Sequence, residues 1–277
     1  MSRKLFGDII RRQLLPQTWR QMHNKSNSNP PITLTNADYE MLLSDEQRQR
    51  CMDNLRNLPA YQRPKALTHH KREQTLAAVL IALCVERDTN AVSVLYTRRS
   101  RHLRAHSLQM SFPGGKRDES DADFIDCALR ETEEEIGLPR QRVEIWGETK
   151  QILLPRTSTI VPVVGVVRDF HISQLKLNHD EVEEAMSIPL QSLLLPTATR
   201  HTQFKSGYSG PVFVVDQHRI WGITGYLTYV FLRCLLPNHL KNEALKTNIK
   251  FVRPYKVTPP KVTHHHHHHQ EEGKLDK

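Results

Sequence analysis

Gly114-Gly115-Lys116, followed downstream by Arg130-Glu131-Thr132-Glu133-Glu134-Glu135-Ile136-Gly137-Leu138, is the stretch that decides how this chain folds. Pro113-Gly114-Gly115 is a turn signal, Ser120 or Asp121 can cap a helix start, and Gly137 with Pro139 beyond it can close one. The spacing predicts a helix over residues 121–136. At about 100° per residue, Ile125, Ala128, Leu129, Thr132 and Ile136 gather on one face, and Glu131, Glu134 and Glu135 on a neighbouring one, leaving Asp126 and Glu133 for solvent. Like charges three and four residues apart repel, and acids in a last turn face the negative end of the helix dipole. Arg130 offsets only part of that cost, so the cluster asks for a cation.

Oxygen-only ligands on a rigid helix suit a hard ion, Mg²⁺ or Mn²⁺, which keeps several waters and binds phosphate oxygens of a substrate. Gly114, Gly115 and Lys116 belong to the substrate side of such a site, because a glycine turn offers backbone amides and a close approach to phosphate. Diphosphate hydrolysis is the natural chemistry. A merely solvated acidic face is the plainer alternative; the glycines and the apolar stripe at fixed offsets from the acids argue against it.

These residues resemble the signature of the Nudix hydrolases: a glycine, a spacer, then Arg-Glu-apolar-x-Glu-Glu-x-Gly-apolar. Arg130 to Leu138 match, with Thr132 at an apolar position; Lys116 and Ala122 stand where the common spacer has glycine and glutamate. Taking Gly115 as the glycine adds one residue to the loop, with Asp121 and Asp123 near the expected acid. That longer spacer is similar to the coenzyme A diphosphatase branch of the family. So is the upstream run Leu95-Tyr96-Thr97-Arg98-Arg99-Ser100, Leu103-Arg104-Ala105-His106, Met110-Ser111-Phe112-Pro113, except that Leu108 occupies a usual glycine position. Further likeness lies in residues 157–167, in Asp180-Glu181-Val182-Glu183-Glu184 with Ile188-Pro189-Leu190, and in Arg219-Ile220-Trp221-Gly222-Ile223-Thr224. The resemblance covers residues 76–237.

It implies the Nudix fold and hydrolysis of coenzyme A or acyl-coenzyme A to 3′,5′-ADP and (acyl-)4′-phosphopantetheine. Glu131 and Glu135 are then the principal metal ligands and Glu134 a further or water-mediated one. Arg130 is the catalytic residue that orients them, and Arg99 and Arg104 fall on the phosphate-binding positions of the motif. The general base stays open among Glu134, Glu181 and Glu184. Two other functions remain: hydrolysis of another nucleotide diphosphate such as ADP-ribose, and a nonhydrolytic coenzyme A-binding protein.

The net charge of +9 on 277 residues is confined to the ends. Residues 1–31 carry +5 and residues 238–277 carry +4, which leaves the stretch between them neutral and removes the main support for a nucleic-acid surface. Residues 1–31 alternate Arg3, Lys4, Arg11, Arg12 and Arg20 with Leu5, Phe6, Ile9, Ile10, Leu14 and Leu15, a pattern that reads as a mitochondrial presequence or as a short basic helix lying on a surface. The chain ends in Leu275-Asp276-Lys277, which is no peroxisomal address. His264 to His269 form a run that fits either an expression tag or native low complexity.

The four cysteines, at 51, 84, 127 and 234, lack any paired spacing and sit among apolar residues, as buried thiols do. Ser44 with Gln47 reads as a capping box for a helix over residues 45–58. Strands are expected at 76–85, 92–98, 143–152 and 160–167, a short helix at 190–194, a hairpin at 212–215 and 219–221, and a helix at 222–236. That last helix is apolar but too short to span a membrane, so no stable membrane insertion is expected. The class is α/β, a mixed sheet sandwiched between helices. Residues 32–75 form a helical lead-in, 76–237 the hydrolase domain and 238–277 a basic tail.

Overall fold

The structure is a computed structural model and describes residues 33–58, 75–153, 158–203 and 209–245. The expected presequence and the histidine run lie outside the described residues. Two helices come first, α1 (Asn36–Leu42) and α2 (Asp45–Arg56), each started by a hydroxyl cap, Thr35 and Ser44. The strand β1 (Thr75–Glu86) pairs with β2 (Val92–Arg99), which pairs in turn with β3 (Met110–Ser111), and β4 (Gly114–Lys116) pairs with β1 ahead of α3 (Phe124–Ile136). Then come β5 (Val143–Glu148), β6 (Ile152–Leu153), β7 (Ser158–Phe170), β8 (Val182–Pro189) and α4 (Leu190–Leu193). A three-stranded sheet of β9 (Thr199–Gln203), β10 (Ser209–Val215) and β11 (His218–Ile220) precedes α5 (Gly222–Leu235) and α6 (Asn238–Ala244).

The large sheet runs β3-β2-β1-β7-β5, with β8 on β2, β4 on β1 and β6 on β7. Its centre is the parallel pair β1 and β7, in register from Thr75 opposite Ser158 to Cys84 opposite Val167. A strand buried on both faces reads as a continuous apolar run, and β1 shows why. Ala78, Leu80, Ala82 and Cys84 join one core with Cys127, Ala128 and Ile136 of α3, while Ile81 and Leu83 join the other with α1, α2 and α5. The mixed sheet is therefore sandwiched between helices. The four cysteines are free and buried.

Three local readings change. The stretch over Asp180 to Glu184 was expected as a loop, but all except its first two residues belong to β8, a half-polar strand against β2. Helix α3 starts at Phe124 and its cap is Asp123, whose carboxylate accepts the Asp126 N–H at 2.7 Å. Ser44 accepts the Gln47 N–H at 3.3 Å, but the Gln47 amide does not complete a capping box; it donates to the carbonyl of Leu235 and so ties α2 to α5.

Candidate active site

Helix α3 ends against the glycine turn, and two glycine positions explain how closely. Gly114 has φ of +140°, and a side chain there would run into the backbone of β1; a Cβ on Gly115 would fall on the Glu131 carboxylate. Bare backbone thus lets β4 lie against the acidic end of α3. The Gly114 N–H donates to Glu135 Oε2 at 3.1 Å. Gly137, in the left-handed region, closes the helix, its N–H donating to the Glu133 carbonyl.

Glu135 is not on a solvent face: it is buried, on the side of α3 that also buries Cys127, Ala128, Thr132 and Ile136. Thr132 fits that apolar stripe because its hydroxyl donates to the Ala128 carbonyl at 2.6 Å. Burial pushes the Glu135 carboxyl up to about 8, with Glu181 and Glu131 adding to the rise and the Gly114 N–H and Arg99 opposing it. Glu131 is half-buried and also raised, first by burial, with Arg130 pulling the other way and Glu134 and Glu181 pushing further up. Glu134 and Glu133 are exposed. Asp126, expected in solvent, is half-buried and accepts from Arg140 at 2.7 Å and from the Ala122 N–H at 3.2 Å.

Arg130 uses every donor of its guanidinium. Nε and Nη2 grip the two oxygens of Asp121 at 2.7 and 2.9 Å, Nη1 reaches Glu131 at 3.2 Å and Glu134 at 3.1 Å, and Nη2 also meets the Lys116 carbonyl at 3.1 Å. Asp121 is buried and its carboxyl is held well below the usual carboxylate range, mainly by Arg130. It caps no helix; it anchors the arginine that lies along Glu131 and Glu134. The spacer's extra residue was the only sequence signal for this pairing, and it left Asp121 and Asp123 equivalent.

The two neighbouring arginines of β2 part company. Val92, Val94 and Tyr96 lie in the core with α5 and Leu95 in the core with α3, so alternation sends Arg98 to the first face and Arg99 to the second. Arg98 is occupied by Glu184 at 3.3 Å and by His218 Nδ1 at 3.1 Å. Arg99 is close enough to Glu135 to lower its pKa. Of the two later acids considered as bases, Glu184 is therefore committed to Arg98, whereas the charge of exposed Glu181 is felt by both Glu131 and Glu135. The Glu181 carbonyl accepts the Ser100 N–H at 2.8 Å, which holds this turn beside the end of β2. Arg104 sits exposed in the loop between β2 and β3, and Lys116 is exposed at the end of β4.

Among the described residues no three His, Cys, Asp or Glu side chains already close around an ion. Glu131 and Glu135, one turn apart, still fit one. A buried carboxyl pushed toward neutrality is an oxygen ligand whose charge a cation would restore, and a hard divalent ion completes its shell with water and substrate oxygens.

The NUDIX domain matches residues 74–207. The Mus musculus protein named mitochondrial coenzyme A diphosphatase NUDT8 is 38% identical over 200 residues, covering 70% of this chain and 90% of that protein. Its Homo sapiens namesake is 40% identical over 166 residues, 58% of this chain and 70% of the other. Nudix hydrolase 3 of Caenorhabditis elegans is 28% identical over 233 residues, 77% and 95% of the two chains. With its glycine turn packed on an acidic helix and relatives matched over most of their length, the chain belongs to the Nudix hydrolases, enzymes that cleave nucleotide-linked diphosphates.

Proposed function

We propose that this protein hydrolyses the diphosphate of coenzyme A and acyl-coenzyme A, releasing 3′,5′-ADP and 4′-phosphopantetheine or its acylated form. The observation that carries this reading is that Arg99 lies close enough to act on the charge of Glu135, the glutamate that the glycine turn holds through the Gly114 N–H. Relatives that carry the coenzyme A diphosphatase name lend it the substrate.

Glu131 and Glu135 would hold Mg²⁺ or Mn²⁺, which when bound polarises the diphosphate oxygens and acidifies the attacking water. Arg99 pairs with a substrate phosphate through its planar fork, and Arg104, exposed in the loop after β2, is the second arginine of the motif. Gly114 and Gly115, expected to let phosphate approach, instead let β4 pack on Glu135 and Glu131, and the Lys116 carbonyl that follows them accepts from Arg130. Arg130, locked by Asp121, keeps Glu131 and Glu134 in line. Glu181 or Glu134 takes the proton of the water; Glu181 is favoured because both buried-side glutamates sense its charge. The relatives' mitochondrial names and the basic, acid-poor residues 1–31 support a mitochondrial address.

Incubation of the purified protein with coenzyme A and either metal should give the two products, resolved by chromatography; no turnover with either would refute the assignment. Glu135→Gln should fold and lose hydrolysis.

A further inference from the structure

Leu108 combines two costs that neither packing nor the chemistry above explains. Its φ is +58°, in the left-handed region. The other non-glycine residues with positive φ among those described are Asn90, His106, Asp169 and Asp216, types that tolerate this region; only Leu108 is apolar. It is also the most exposed of the large hydrophobic residues described, at 52%. The backbone leaves it no alternative: the Leu108 N–H donates to the Arg99 carbonyl at 3.0 Å, the Arg99 N–H to the Gln109 carbonyl at 3.1 Å, and the Gln109 N–H to the His106 carbonyl at 3.3 Å. Glycine would suit that turn without strain.

The same hydrogen bonds set Leu108 beside Arg99, the arginine on the face of β2 that meets α3. Around it the exposed side chains of the loop are mostly polar or cationic, Arg101, His102, Arg104, His106 and Ser107, with small Ala105 among them and Leu103 half-buried. One exposed large apolar residue thus has its main chain paired with that of the arginine assigned above to substrate phosphate. Coenzyme A has one apolar group that close to its diphosphate, the pantoyl carbon bearing two methyls, a single methylene from the ester oxygen. On the other arm the first group is a polar ribose, and the thiol end is far away.

We propose that Leu108 is a specificity-determining residue that contacts the branched pantoyl carbon of the substrate. This rests on the coenzyme A reading above. Leucine at a glycine site exchanges backbone ease for selectivity between the two arms of the diphosphate.

The test compares the full chain with Leu108→Gly, Leu108→Asn and Leu108→Met, using coenzyme A as substrate and the two products as inhibitors. Gly and Asn, which accept the left-handed backbone, should raise the KM for coenzyme A and the inhibition constant of 4′-phosphopantetheine about tenfold, the scale of a lost apolar contact. The inhibition constant of 3′,5′-ADP should not move, and Met should keep both values within about twofold, as a similar-sized apolar replacement does. Leu108→Gly should also melt about 3 °C higher because the turn is relieved. Equal weakening of both products, no change in Leu108→Gly, or a Met variant as poor as Gly would each overturn the proposal. A wild-type chain inert toward coenzyme A would instead remove the substrate assignment itself, and this contact with it.

Discussion

Glu135 is a carboxyl placed where water scarcely reaches it, and its titration gives a signed prediction. Its pKa in the folded chain is about 8 against an ordinary 4.5. The folded state therefore holds a proton that the unfolded state releases, so the contribution to stability is full below about 4.5 and is lost as pH rises through about 8. The metal-free protein should melt progressively lower across that window, while Glu135→Gln, which cannot ionise, should not show this loss. Addition of Mg²⁺ or Mn²⁺ should narrow the gap at the alkaline end; parallel melting curves for both proteins at every pH would count against a buried, titrating Glu135. Asp121 works in the opposite direction. Its carboxyl is depressed below the ordinary 3.8, so its contribution is present above that value and is lost as pH falls below it. Asp121→Ala should cost about 3 kcal/mol in urea unfolding at neutral pH, because it strands Arg130 beside a buried gap. The glutamates were legible because they lie within one stretch of helix. The partner of Arg130 was not, since two aspartates near the expected place differ only in which one the loop buries.

Among the elements, those announced by apolar runs and the helix capped by Ser44 were readable, whereas α1 was missed despite its Thr35 capping box, β3 and β4 were too short for any pattern and β8 too polar. Strand β8 keeps Val182, Met186 and Ile188 buried and turns glutamates to the arginines of β2 and its following loop, Glu184 to Arg98 and Glu183 to Arg101. Its acidic face hid a strand that pairing, not hydrophobicity, defines. Helix α2 shows the converse, a local signal that was half right. Ser44 caps it, but Gln47 reaches across to α5, where it satisfies the Leu235 carbonyl in a buried setting. Gln47→Ala should therefore destabilise by about 1–2 kcal/mol, the cost of an unpaired buried carbonyl, with little effect on kcat. A loss of activity at unchanged stability would mean that α2 bears on the site directly.

At the scale of the whole molecule the two cores divide the work. One packs α3 with its acidic end, and the other packs α1, α2 and α5 against the opposite face of the same sheet, so the described residues of the lead-in, from Leu34 to Leu55, contribute to the second core. The charge lies elsewhere, at the chain ends. Fusing residues 1–31 to a reporter should carry it into mitochondria, visible by microscopy; a cytosolic reporter would remove the presequence reading. The sheet's alternation also bears on how the chain can change length. Arg98 and Arg99 serve opposite faces, one held by Glu184 and His218, the other facing Glu135. A residue inserted between Thr97 and Arg98 would slide Arg98 into the place of Arg99, and the glutamates would still meet an arginine. Deleting Arg98 would bring Ser100 there instead. Gain and loss of one codon at this strand are thus unequal events: the first spares the phosphate contact and undoes a tether, whereas the second removes the contact itself.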